Sequence, residues 1–154
     1  MSTTTLLPDS IDCWPDRNLS DRNSVENHTT KDHFIIRNGQ EFAGTHLLID
    51  LWGAKYLDDL SGMEIALREI VRVCGATLLH IHLHHFTPNG GVSGVAVLAE
   101  SHISVHTWPE RGYAAFDVFM CGDADPEKAI PMLRTCFLPE CVSVKTQLRG
   151  EVTS

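Results

Sequence analysis

Apolar positions fall into short, separate runs along the chain. Thr45-His-Leu-Leu-Ile-Asp-Leu-Trp52 reads as a first strand, closed by Gly53. The period then changes. Met63, Ala66, Leu67, Ile70, Val71 and Cys74 recur at helical spacing, while Glu64, Arg68, Glu69 and Arg72 lie elsewhere on the wheel. Ser61 and Glu64 stand at capping-box spacing, which predicts a helix opening at Ser61, and Gly75 stops it. Period two returns over residues 76–86. Leu79, Ile81 and Leu83 are expected on one face, with His80, His82, His84 and Phe86 on the other. Pro88-Asn-Gly-Gly91 turns the chain. The mostly apolar run 92–99 predicts a buried strand, and residues 103–107 and 113–119 predict two more around a turn at 108–112. Asp125-Pro126 offers an N-cap and first helical position, with Pro131 expected to kink or delay that helix. Residues 142–148 close as a strand.

The order β-α-β-β-β-β-α-β predicts an α+β two-layer sandwich, a mostly antiparallel sheet with helices on one face. Its other face, carrying the histidines, must then be solvated, form a site, or be buried against a partner subunit. Residues 1–40 are rich in Ser, Thr, Asn and Asp without sustained periodicity. They are expected to be a mobile or loosely docked extension, with the folded domain over 41–154.

Composition narrows the function. The 154 residues, 43% hydrophobic and 21% charged, suit one domain with a substantial core. A net charge of −8 without a basic stripe argues against a nucleic-acid partner. No apolar run approaches the roughly 20 residues needed to span a bilayer. The N-terminus lacks the basic region and long apolar core of a secretory signal. Five cysteines (Cys13, Cys74, Cys121, Cys136, Cys141), with no CxxC spacing, predict free thiols in a reducing cytoplasm.

Several residues carry candidate chemistry. Alternate strand positions put His80, His82 and His84 on one side, where they could hold a metal. Such a site needs further ligands from other strands, so a polar strand face in a cleft or interface is the favoured reading and no metal is expected. Cys121 alone reads as a small hydrophobe, Ser93 as turn chemistry, Phe86 as core and Trp108-Pro109 as a rigid turn. Ser101 is harder to dismiss, flanked by Glu100 and His102 after an apolar strand. Its hydroxyl could attack a substrate, or the carbonyl of its own preceding peptide bond. The second route gives an ester, then β-elimination and a new chain end. Spacing alone leaves both open.

The runs GVSGVAVLAESHISVHTWPE and GYAAFDVFMCG resemble the prokaryotic S-adenosylmethionine decarboxylases, whose pattern is GVSG…ESH…H[TS][WF]PE…GYA…D…CG. The likeness extends over about residues 44–150. It implies a proenzyme that cuts itself between Glu100 and Ser101 into a β chain, 1–100, and an α chain, 101–154. Ser101 becomes a covalent pyruvoyl group, which takes the substrate amine as a Schiff base and serves as the electron sink. By the same resemblance His106 is the processing base, Ser93 assists processing, and Cys121 is the proton donor. Phe86 stacks on adenine and Glu110 accepts from the ribose hydroxyls. The resemblance also implies a homodimer of αβ units with sites near the subunit interface, making decarboxylated S-adenosylmethionine for spermidine. The stretch between Phe86 and Ser93 is one residue longer than the commonest family spacing. Ornithine or arginine decarboxylation on the same scaffold is the alternative. An unprocessed, non-catalytic homologue is a distant third, disfavoured by intact Ser101, His106 and Cys121.

Overall fold

A computed structural model describes residues 33–153. A two-stranded ribbon comes first, β1 (Ile35–Arg37) and β2 (Gln40–Phe42). The main domain follows as β3 (Gly44–Trp52), α1 (Leu60–Cys74), β4 (Leu78–His85), β5 (Val92–Leu98), β6 (Ser101–Trp108), β7 (Tyr113–Met120), α2 (Ala129–Phe137) and β8 (Cys141–Arg149). Six strands form one sheet in the order β4-β5-β6-β7-β3-β8, every neighbouring pair antiparallel. The α+β two-layer architecture expected from the pattern is the one observed. The ribbon begins ahead of the expected boundary at residue 41. Residues 1–32 of the expected extension lie outside the described residues.

The two helices sit in the two long crossovers, β3 to β4 and β7 to β8, and pack on the same sheet face. All six residues of the predicted stripe on α1 are buried. They meet Leu47, Ile49 and Leu51 of β3, Ile103 and Val105 of β6, and Phe116 and Val118 of β7, together with Leu133 and Phe137 of α2. The start of α1 differs from expectation. Asp59 is the N-cap, its Oδ1 accepting from the Gly62 N–H at 2.9 Å, so Ser61 is already inside the helix. Glu64, freed from a capping role, takes Arg68 at 2.7 Å one turn on. Gly75 closes the helix at φ 74°, as expected. Pro131 is tolerated because the chain delays. A short 3-10 turn, Pro126–Lys128, precedes α2, and Pro131 then falls in the first helical turn, where no amide is needed.

One predicted face assignment is overturned. Leu79 is 64% exposed, whereas Leu78, Ile81 and Leu83 pack on the core. A register shift between Leu78 and His80 inserts one residue and puts Leu79 out of phase. The strand 92–99 is also only half buried. Val92, Ala96 and Leu98 face the helices, while Val97 lies opposite His80 and His102 on the uncovered side, 40% exposed.

That uncovered face is a grid fixed by the strand register. One row crosses it as His84, Ser93, His106, Ala115 and Asp50, and another as His80, Val97, His102, Phe119 and His46. Leu48, Trp52, Val97 and Trp108 stand exposed on it. Trp52, Tyr113 and Trp108 stack in sequence, with centroids 4.3 and 5.2 Å apart.

Candidate active site

A two-residue turn, Ala99-Glu100, joins β5 to β6, because Leu98 pairs directly with Ser101. Glu100 closes this turn at φ 58°, a left-handed conformation that costs a side-chain-bearing residue about 1–3 kcal/mol. Neighbouring contacts hold it there. The Glu100 carbonyl oxygen lies 3.2 Å from Cys121 Sγ and accepts from the thiol. The backbone N–H of Cys121 donates to Ser101 Oγ at 3.2 Å. Cys121 thus touches both sides of the Glu100–Ser101 peptide bond. Burial pushes its pKa up, hydrogen bonding with Ser101 offsets part of that, and the Glu100 carboxylate raises it further. The thiol therefore stays protonated above the ordinary cysteine range, which suits a proton donor.

A second group lies elsewhere on the sheet. Ser93 and His106 are directly opposed on β5 and β6, and Ser93 Oγ and His106 Nδ1 share a hydrogen bond of 2.9 Å. Phe86, Trp108 and Glu110 line the same cavity of about 380 Å³. The longer loop 87–90 does not carry Phe86 away from it. The Phe86 N–H donates to the Gly91 carbonyl at 2.7 Å, the Gly90 N–H returns to Phe86 O at 2.8 Å, and the ring packs edge-on against His84. Close backbone approach explains the glycines around Ser93. A Cβ on Gly94 would collide with the His82 carbonyl oxygen, and one on Gly91 would come within 2.8 Å of Thr107 O.

Thr107 fills the hydroxyl position of the H[TS][WF]PE block, but no role could be read for it from sequence. Its buried hydroxyl accepts from the Val92 N–H and donates to Leu57 O, both at 2.8 Å, locking the strand ends beneath the cavity. A polar network the sequence reading also missed crosses the open face. Tyr113 donates to Asp50 at 2.7 Å, which raises its pKa to about 12, and Ser104 donates to Asp117 at 3.0 Å. His80, His82 and His84 point to this face. Among the described residues, no three His, Cys, Asp or Glu side chains are grouped to hold a metal.

The two groups do not meet within one chain. Ser101 and His106 are five residues apart on a single extended strand, about 16 Å at ~3.3 Å per residue. Glu100, Ser101 and Cys121 form one group; Phe86, Ser93, His106 and Glu110 form the other.

Comparison with known proteins follows the same outline. The family model for S-adenosylmethionine decarboxylase matches residues 45–150. A protein of Thermomicrobium roseum named S-adenosylmethionine decarboxylase proenzyme is 46% identical over 110 residues, 71% of this chain and 95% of that protein. One of the same name from Methanococcus vannielii is 52% identical over 112 residues, 71% of this chain and 91% of its own length. The crystal structure of the adenosylmethionine decarboxylase from Aquifex aeolicus superposes with a TM-score of 0.66 at 34% identity, covering 73% of this chain and 94% of that one. With motifs, fold and sequence in agreement, the chain belongs to the S-adenosylmethionine decarboxylase family.

Proposed function

We propose that the chain is a pyruvoyl-dependent S-adenosylmethionine decarboxylase, made as a proenzyme that cuts itself between Glu100 and Ser101. The observation that carries this reading is the contact of Cys121 with both sides of a peptide bond whose first residue is held at positive φ. Ser101 Oγ adds to the Glu100 carbonyl, and the Cys121 thiol, protonated and in contact with that oxygen, stabilises the charge it gains. The pyruvoyl group left at position 101 supplies the electron sink for loss of carbon dioxide. Cys121 then delivers the proton to the substrate's α-carbon. Phe86 offers a ring face to adenine and Glu110 a carboxylate to the ribose diol, both from one cavity, so a nucleoside suits the site better than ornithine or arginine.

His106 is assigned the base that removes the Ser101 α-proton, with Ser93 holding its ring. At about 16 Å it cannot reach Ser101 of its own chain, so each complete site takes its two half-sites from two copies. A two-fold homodimer built through the uncovered face supplies both sites at once. Exposed Leu48, Trp52, Val97 and Trp108 give that face its apolar content. No helix among the described residues is long and apolar enough to cross a membrane, and Cys74, Cys121, Cys136 and Cys141 are free thiols. We assign the enzyme to a reducing cytoplasm.

The test of substrate is carbon dioxide release by the processed enzyme from S-adenosylmethionine, ornithine and arginine at matched concentration. Release from S-adenosylmethionine alone is expected. Release from ornithine or arginine alone would reject the nucleoside reading.

A further inference from the structure

Residues 33–43, which carry the ribbon β1–β2, precede the family-matched residues 45–150, yet their first residue reaches the cleavage site. Several backbone contacts dock it. The Gly122 N–H donates to His33 O at 2.7 Å, the Ala43 N–H to Arg149 O at 2.8 Å, and the Val152 N–H to Glu41 O at 3.0 Å, while Ile35 is buried. Gly122, at φ 60°, lets the chain pass close: a Cβ there would stand 3.2 Å from His33 Nδ1. Docking in this way puts His33 Nδ1 3.2 Å from Glu100 Oε2. His33 joins Glu100, Ser101, Cys121 and Thr77 around a cavity of about 290 Å³.

We propose that His33 is a positioning residue for self-cleavage, supplied by an N-terminal segment outside the family-matched region. The inference rests on the proenzyme reading above. In the first step Ser101 Oγ bonds to the Glu100 carbonyl carbon, the Glu100–Ser101 C–N bond breaks, and the hydroxyl proton passes to the freed Ser101 nitrogen. Negative charge gathers on the Glu100 carbonyl oxygen as this happens. The carboxylate nearest to it in the chain is that of Glu100 itself, and like charges repel. An N–H donated from His33 Nδ1 to that carboxylate disperses its charge and ties the Glu100 side chain while its backbone stays left-handed. Both side chains of the pair are a little over half exposed, so the pair contributes little to folding stability. Its effect belongs on the cleavage rate.

The experiment follows the appearance of the two fragments in freshly translated full-length chains. His33→Ala is expected to slow cleavage roughly threefold or more, an effect of the size that loss of one hydrogen bond produces. His33→Asn, which keeps an N–H donor near the Nδ1 position, should restore most of the rate. With Glu100→Gln already in place, adding His33→Ala should cost nothing further, since the charge it disperses is gone. Cleavage of His33→Ala at the wild-type rate would overturn the proposal. So would equal slowing in the Glu100→Gln background, which would mean that His33 acts through the fold. A wild-type chain that never cuts would instead reject the proenzyme reading, and this inference with it.

Discussion

At the residue scale the proposed chemistry rests on the torsion of Glu100 and the thiol of Cys121. The three thiols whose surroundings differ most should separate cleanly on alkylation. Cys141 is exposed, Cys121 is part-buried with a raised pKa, and burial pushes Cys74 up to about 11. Because the thiolate is the reactive form, peptide mapping of iodoacetamide adducts at neutral pH in uncut Ser101→Ala protein should give the order Cys141, then Cys121, then Cys74. Alkylation of Cys121 ahead of Cys141 would contradict a donor held in its neutral form. The same variant should fold and remain a single chain, as judged by gel, because no hydroxyl remains to attack the Glu100 carbonyl. Two fragments from it would move the cleavage site elsewhere. Ser101, Cys121, Ser93 and His106 could be singled out from sequence because motif blocks carry them. Thr107 also lies in a motif block, yet its role could not be read from it, and His33 lies outside every block. A hydroxyl's partner 50 residues away leaves no local pattern, and His33 sits in a stretch whose composition looks structureless.

Elements were legible where their period ran long enough. The stripe on α1 repeats over about three turns, and every one of its six positions is buried. Leu67 is fully buried between α1 and the sheet, so Leu67→Ala should cost about 2–5 kcal/mol in urea unfolding of the Ser101→Ala chain. A loss under 1 kcal/mol, by contrast, would mean that α1 is not packed on the sheet as described. The helix start was misread because Ser61 and Glu64 carry a valid capping box, and Asp59, two residues earlier, offers a competing cap that the structure uses. The bulge at Leu78/His80 was invisible for a related reason, since Leu-Leu supplies an apolar residue in either register. Strands β1 and β2, at three residues each, are too short for alternation to register.

At the scale of the whole molecule, sequence distance misled in the other direction. Ser101 and His106 look adjacent in the ESH…H motif, but an extended strand converts five residues into about 16 Å. If two copies complete each site, mixing should rescue what each variant lacks. Ser101→Ala chains keep His106, and His106→Ala chains keep Ser101. Co-expressed, they should form mixed dimers in which the His106→Ala chain completes cleavage, although neither variant does so alone. Denaturing gels would show it, and no fragment from the mixture would argue that the base acts within its own chain.

The central claim is that Ser101 ends its life as a chain terminus. The most direct measurement is intact mass under denaturing conditions. The account predicts two chains split between Glu100 and Ser101, whose summed mass differs from the precursor by one water gained and one ammonia lost, with the α chain blocked to N-terminal sequencing. A single full-length chain in folded, aged protein would contradict it.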